Sequence, residues 1–493
     1  MAGQEAQYPL PRPARKTALC SYAQQYGDSE PENPDRDTGK LSAEGRFGKS
    51  PGSFARVRRQ KFDSIPLLMF LIFSKLKKVF YFPVAYYFRF FAGIHLKIWK
   101  PRIVVVTGSS GKTTLLHFIE AQLRGRARYS HHANSAYGIP FDILGLVRKK
   151  LTLGEWPYLF FAAPFRAFKK PYPEALYVVE ADCDRPGEGR FLSGLLKPEV
   201  TVWLSSGRSH SMNFGKLVPT EYGSVEEAIA YEFGYFLENT SSMTIANGDL
   251  KLIVDQYPRT TSKVKEIKSS ALEKYIVMRD GTGFDTHKQM YQFKALIPQE
   301  AFYSLEATRE LLGYLQVDLD SAFSNFSLPP GRGSILRGIR NTTLIDSSYN
   351  ATFDSMVSML GAFDAYPSQK KWLVLGDILE QGAWEQEEHE KLAALLASLK
   401  LEKLLLVGPR VSKYTYPKLQ TELSVNLHIE KFSKPREVLD FLEKNIKGGE
   451  TILFKGAGFL EGVVEHLLQD NNDVVKLCRR EKIWQTRRKQ WGL

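Results

Sequence analysis

The run Thr107-Gly108-Ser109-Ser110-Gly111-Lys112-Thr113-Thr114 has the residue types and spacing of a phosphate grip. Small residues and two glycines let backbone N–H groups approach an anion, and a helix opening at Lys112 adds the positive end of its dipole. The Lys112 ammonium is placed to reach the outer phosphates of a nucleoside triphosphate, and the Thr113 hydroxyl to ligate Mg²⁺. The general P-loop has a further glycine about five residues before the Gly-Lys pair. Val106 holds that position here, so the grip is of a shorter type. A Gly/Ser turn that merely precedes a lysine is the bland reading. The strand before the turn and the helix after it argue against that.

Two further candidates share the same edge. Glu180 closes the apolar run 176–180, and His210 follows the apolar run 200–204 by a few residues. Ligands of parallel α/β sheets bind beyond the carboxyl ends of strands, so both side chains fall beside the phosphate grip. A surface or N-capping carboxylate and a packed histidine are the ordinary readings; their common position favours a site. Asp182 and Asp184, in the turn after Glu180, read as turn residues rather than ligands.

These residues need a scaffold. Ile103 to Val106 is a β-branched run of the kind buried on both faces of a parallel sheet. Leu115, Leu116, Phe118 and Ile119 then mark the inner face of a helix. Strand candidates at 103–106, 176–180, 200–204 and 243–246 alternate with helical stretches, which predicts a doubly wound P-loop α/β domain over 101–327. Leu328-Pro-Pro-Gly-Arg-Gly333 marks a boundary. Beyond it, strands at 342–346, 372–376, 403–407 and 451–455 alternate with helices from 352 and at 385–399, 436–445 and 459–468. A second, smaller Rossmann-like α/β domain is expected over 328–475. The basic stretch 476–493 reads as a solvated helical tail, with membrane contact as the lesser reading.

Composition narrows the partners. The 493 residues are 43% hydrophobic and 25% charged, as in a globular protein of several domains. A net charge of +13 favours anionic partners. Nucleic acid is set aside, because the basic residues cluster with aliphatic and aromatic runs rather than on a stacking platform. Cys20, Cys183 and Cys478 lie far apart, which excludes a disulfide framework or zinc knuckle and fits a reducing compartment.

Residues 1–54 lack apolar periodicity and read as a disordered tail without a signal peptide; Met69 is an alternative start. Residues 55–100 set many basic side chains, and the single acid Asp63, around the apolar runs Ile65–Phe73 and Val79–Phe88. Neither run reaches the roughly 18 residues needed to cross a bilayer. This pattern predicts a helix lying in a membrane interface, with a helical layer packed on the nucleotide domain as the alternative.

The short grip and the patterns after it resemble the Mur ligases, ATP-dependent amide-forming enzymes of peptidoglycan synthesis. Within that family they are most similar to the branch that adds D-alanyl-D-alanine to a muramoyl tripeptide. The resemblance implies ATP and Mg²⁺, with Gly108, Ser109, Ser110, Gly111, Lys112, Thr113 and Thr114 around the nucleotide. It implies Thr113, Glu180 and His210 at metal ions, and Lys112, Glu180, His210 and Arg332 as the catalytic set. Arg332 matches the arginine that reaches the ATP phosphates when the domains close. The segment 134–140 resembles a substrate-side loop, with Asn134 as the contact. The segment Asp346–Met356 is the most branch-specific, and implies Asp346 and Asn350 at the nucleotide and Tyr349 and Asn350 at the substrate. The segment 376–382, His389 and the segment 455–458 also match, with Lys455 at the amino-acid substrate. The implied partners are a muramoyl-peptide acceptor and D-alanyl-D-alanine, in the cytoplasm; the peripheral contact with an anionic membrane is expected from the basic segment 55–100 alone.

The pattern also departs from the family. A carbamylated lysine is usual before the Asn-x-Asp that matches Asn247-Gly-Asp249, yet no lysine occurs between Lys216 and Lys251. Glu232 is the expected replacement at the second metal. Ala301 begins a helix that is Asn-rich in the family, and Ala457 stands in place of a serine. The basic hydrophobic segment takes the place of the family's UDP-binding domain. These departures leave open another Mur-type ligase acting on a lipid-linked or polyglutamate-type substrate. They also leave open a catalytically reduced, membrane-associated nucleotide-binding scaffold.

Overall fold

Ile103, Val104, Val105 and Val106 are all apolar because the strand they form has no solvent face. In β1 (Arg102–Thr107), Ile103 and Val105 point into one hydrophobic cluster, while Val104 and Val106 point into another on the opposite face. The computed structural model describes residues 80–493 except 132, 149–152, 219–220, 350, 423–426 and 490. The expected tail 1–54, the basic run up to residue 79, and Asn350 lie outside the described residues.

β1 lies inside a six-stranded sheet ordered β2-β3-β1-β4-β5-β6. The others are β2 (Arg128–Tyr129), β3 (Leu176–Glu180), β4 (Val200–Trp203), β5 (Met243–Asn247) and β6 (Lys263–Ile267). Every pairing is parallel, with Val106 opposite Glu180 and Thr107 opposite Trp203. The chain leaves β1 toward β3 on one side and β4 flanks it on the other, so the strand order reverses at the end of β1. That is where an open α/β sheet forms its crevice.

A three-stranded antiparallel sheet follows: β7 (Leu272–Met278), β8 (Gly281–Thr286) and β9 (Gln289–Phe293). The second large sheet is ordered β10-β11-β15-β12-β13-β14. It comprises β10 (Ser334–Gly338), β11 (Thr342–Ser347), β12 (Lys371–Gly376), β13 (Lys403–Val407), β14 (His428–Phe432) and β15 (Thr451–Lys455). Only β10 runs antiparallel to its neighbour. Leu373 and Leu375 face one cluster and Trp372 and Val374 the other, as in β1. The chain is therefore mixed α/β with two wound sheets, as expected. β2, β6, the β7–β9 sheet, β10 and β14 were not foreseen.

The helix Tyr81–Trp99 packs on the first sheet. Ala85, Phe88, Ala92 and Trp99 are buried in the same cluster as Val105 and Val179. The helix stops where Lys100 takes φ 53° ahead of Pro101. This is the helical-layer alternative for that part of the segment. Among the described residues no helix is long and apolar enough to cross a membrane.

The solvated-tail expectation needs correction. Arg479 pairs with Glu461 at 3.0 Å, and Arg480 and Arg488 pair with Glu465 at 2.8 and 2.7 Å. Leu477 and Arg488 are buried. Arg479, Arg480 and Arg488 are thus tied to the second sheet's helix Leu460–Leu467, while Lys476, Lys482, Arg487 and Lys489 remain exposed as expected.

Candidate active site

The grip forms because β1 ends in a turn that only a residue without a side chain can make. Gly108 has φ 128°, and a Cβ there would stand 2.7 Å from the Ser205 carbonyl oxygen. The turn is stitched to the loop after β4: Ser109 N donates to Ser205 O (3.1 Å), and Ser110 N donates to Ser205 Oγ (2.9 Å). Gly207 N donates to Ser109 Oγ (2.8 Å). Gly111 then leads into the helix Lys112–Leu123, whose first N–H groups have no side-chain cap. Such a helix start suits an anion. Thr114 lies half-buried in its first turn.

Lys112 is buried. Its ammonium donates to Gly108 O (2.6 Å) and pairs with Asp182 Oδ2 (2.7 Å). Burial opposes its charge, but the carboxylates of Asp182 and Glu180 outweigh that and hold its pKa above the ordinary value. The Thr113 hydroxyl donates to Glu180 Oε2 at 2.9 Å. Arg332, from the segment before the second sheet, brings Nη2 to 3.1 Å of Thr113 Oγ1 and stacks over the Tyr349 ring, 4.6 Å from its centroid. Lys112, Thr113, Glu180 and Arg332 are thereby brought together from residues up to 220 positions apart in sequence, counting 332 − 112.

His210 sits across the turn from this group with φ 53°. Its Nε2 is 3.2 Å from Asp184 Oδ1 and 4.0 Å from Asp182 Oδ2, and its Nδ1 is 2.7 Å from Glu380 Oε2. Burial lowers its pKa, but the hydrogen bond to Glu380 and the two aspartates prevail and raise it to about 9. Asp182 and Asp184 are therefore not simple turn residues, because Asp182 is buried at the heart of the site. Asp182, Asp184 and His210 offer ligand atoms all within 4.8 Å of one another. The donors suit Mg²⁺: Thr113 and Glu180 supply a hydroxyl and a carboxylate oxygen, and Asp182 and Asp184 supply two more carboxylates.

Glu232 does something else. It accepts from Gly187 N (2.8 Å) and Gly189 N (3.0 Å), anchoring the start of the helix Glu188–Leu196. Its carboxylate is occupied by backbone donors, so it does not replace the missing lysine. His389 is also structural. It is fully buried, with Nδ1 on Glu385 O (2.7 Å) and Nε2 accepting from Ile378 N (3.3 Å).

In the loop 134–140, Asn134 O accepts from Asp182 N (2.8 Å), and Glu188 Oε1 accepts from Ala136 N (2.6 Å). The 134–140 loop is thus tied to the loop that carries the aspartates. In the second sheet, Asp346 and Lys455 stand at the ends of adjacent strands, with Ser347 opposite Lys455. Asp346 Oδ1 accepts from Ser348 N and Oγ, whereas buried Oδ2 has no hydrogen-bond partner among the described residues. Burial, with the Arg332 charge, pushes the Lys455 pKa down to about 7. Tyr349 is partly exposed.

The two halves meet through residues that sequence reasoning missed. Arg208 Nη1 reaches Glu387 (2.9 Å) and Glu388 (3.0 Å), and its Nε pairs with Glu226. Ser211 Oγ donates to Gln381 O (3.1 Å). Arg208 lies in the same loop as His210, but Glu387 and Glu388 are about 180 residues away, and nothing local signals them.

Comparison with known proteins agrees with this arrangement. Residues 331–458 match the family model "Mur ligase, glutamate ligase domain". A UDP-N-acetylmuramoyl-tripeptide--D-alanyl-D-alanine ligase of Bacillus subtilis is 23% identical over 399 residues, covering 77% of this chain and 78% of that one. The MurF ligase of Thermotoga maritima, solved in complex with ADP, superposes with a TM-score of 0.61 at 20% identity, covering 82% of this chain and 84% of that one. MurF of Acinetobacter baumannii gives 0.61 at 18% identity, covering 77% and 79%. Residues 331–458 thus match a Mur ligase domain model, and the chain that carries them has the Mur ligase fold.

Proposed function

We propose that the protein is an ATP-dependent ligase that joins a carboxylate to an amine, with a muramoyl tripeptide as acceptor and D-alanyl-D-alanine as donor. One observation carries this reading: Arg332, from the far side of the domain boundary, bonds to the Thr113 hydroxyl that also bonds Glu180. A group delivered to the phosphate grip only when two domains meet is what phosphoryl transfer to a second substrate requires. The named relatives support the choice of substrates.

On this reading an acceptor carboxylate oxygen attacks the γ-phosphorus, the bond from that phosphorus to the ADP oxygen breaks, and an acyl phosphate forms. The amine then attacks the acyl carbon, the C–O bond to phosphate breaks, inorganic phosphate leaves and the amine proton passes to solvent. Lys112 exchanges Asp182 for phosphate oxygens, and Arg332 offsets the charge that grows on the transferred group. Thr113, Glu180 and the Asp182–Asp184–His210 cluster would hold Mg²⁺, which supplies charge neutralisation when bound. Asn134, Tyr349, Asp346 and Lys455 border the substrate side. The hinge falls at 328–333, between domains at 101–327 and 328–475. The reaction belongs in the cytoplasm, where ATP is.

A lipid-carried acceptor is the second reading, favoured by the exposed aromatic face described below. ADP release measured with muramoyl tripeptide, its lipid-linked form and a panel of amines tests both. The expected result is ADP formation only with a muramoyl acceptor and D-alanyl-D-alanine together. ATP hydrolysis indifferent to both, or none with any pair, overturns the assignment.

A further inference from the structure

The helix Trp156–Ala167 packs Trp156 and Phe160 on the core and turns its other aromatic residues outward. Tyr158, Phe161, Phe165 and Phe168 recur at the spacing of one helical face and are 57%, 75%, 78% and 69% exposed. Their opposites, Leu159, Ala163 and Ala167, are buried against the helix Tyr81–Trp99, which adds exposed Tyr86 and Phe90. Of the 15 large hydrophobic residues exposed among the described residues, nine lie in 80–98 and 147–168; the rest are scattered. A concentration of this kind on one face marks an interaction surface.

The face is held rigidly. Pro164 cannot donate to the Phe160 carbonyl, and the Tyr87 hydroxyl does so instead at 2.7 Å. His95 Nδ1 meets the Ala167 carbonyl at 3.2 Å near the helix end. Charge identifies the occupant. No acidic residue occurs in 156–173 or in 64–119, while exposed Lys97, Lys169 and Lys170 border the aromatics. The chain that runs into this helix pair from residue 55 continues the same composition, apolar runs set among basic residues.

We infer that the outward face of the Trp156–Ala167 helix, with its Lys169-Lys170 end, seats the protein on an anionic lipid surface. The aromatic rings enter the headgroup–acyl boundary and the lysines meet lipid phosphates. The inference does not depend on the ligase reading, because lipid binding needs neither nucleotide nor acceptor.

The test uses the full chain and sedimentation with phosphatidylcholine vesicles that contain none or about a third of an anionic phospholipid. Native protein sediments with the anionic vesicles. The F161S/F165S/F168S variant, exposed at all three positions and unchanged in melting temperature, loses at least about tenfold in vesicle affinity, and K169E/K170E loses most of the anionic preference. A second readout is F165W with vesicles of brominated acyl chains, in which the added tryptophan emission is quenched. Three results overturn the inference: native protein that ignores vesicles, a triple variant that binds as native does, or unquenched F165W emission from bound protein. Two more reassign the face. If the triple variant turns a native dimer into a monomer, a second copy covers it. If it exposes 65–79 to protease without any vesicle effect, the chain's own segment covers it.

Discussion

Replacing Arg208 with alanine isolates the energetics of domain closure. The guanidinium is 18% exposed and joins Glu226 to Glu387 and Glu388, of which Glu388 is 3% exposed. Asp354 lies against the same loop, close enough that a Cβ on Gly207 would fall 2.0 Å from Asp354 Oδ2. The variant leaves buried Glu388 beside Glu226 and Glu387 without their cation. Removing one partner of a buried pair costs about 3–5 kcal/mol, whereas the exposed Glu387 contact contributes below about 1 kcal/mol. Hydration through the partly open side argues for the lower end, about 3 kcal/mol, or roughly a hundredfold against the closed form.

The pH dependence follows from the carboxyls. Burial, partly offset by Arg208, raises Glu388 to about 7. Closed protein thus binds protons more tightly than open protein, so closure weakens as pH rises through the window from about 4.5 to about 7. Without Arg208 the Glu388 carboxyl moves higher still, and the defect must shrink between about pH 8 and about pH 6. Steady-state ADP release at both pH values, with small-angle scattering to follow closure, measures this. The R208A/E388Q double variant should recover part of the loss. A kcat/KM within about twofold of native at about pH 8, or a defect indifferent to pH, refutes the reasoning.

Other substitutions probe the grip and the second sheet. D182N frees Lys112 from its 2.7 Å partner, so calorimetry should show magnesium-free ATP binding about tenfold more tightly, while K112A abolishes binding. R332A should lower kcat about a thousandfold with little change in the ATP KM or melting temperature, and R332K should not restore it. K455M should remove a pH effect. The buried Lys455 has its pKa pushed down to about 7, so the unfolded chain binds the extra proton above that pH, and native stability rises from about pH 7 toward about pH 10. In thermal melts across that range the midpoint of native protein should rise with pH beyond that of K455M.

Much of the site was legible because its elements are local. β1 announces itself by four apolar residues, and the structure shows why all four are needed: each face of the strand belongs to a different core cluster. Glu180 and Lys112 could be placed together because strand ends in a wound sheet share one edge. What stayed hidden depends on long-range pairing. The β7–β9 sheet is rich in polar residues and glycine, and β10 owes its existence to β11. Asp182 reads as a turn aspartate until its loop folds back onto Lys112. Arg208 meets Glu387 and Glu388 only when the second sheet docks. The aromatic run 156–168 looks like core in one dimension, and only the packing of Leu159 and Ala163 shows which face is left outside.

An acyl phosphate formed at the Lys112–Thr113–Glu180–Arg332 cluster is the central step of the proposed reaction. Carboxylate-¹⁸O-labelled muramoyl tripeptide, incubated with ATP and D-alanyl-D-alanine, tests it in one step. One labelled oxygen should appear in each inorganic phosphate released, with amide product in equal amount. Phosphate carrying no label while ADP accumulates means that water, not the acceptor, attacks the nucleotide, and contradicts the mechanism.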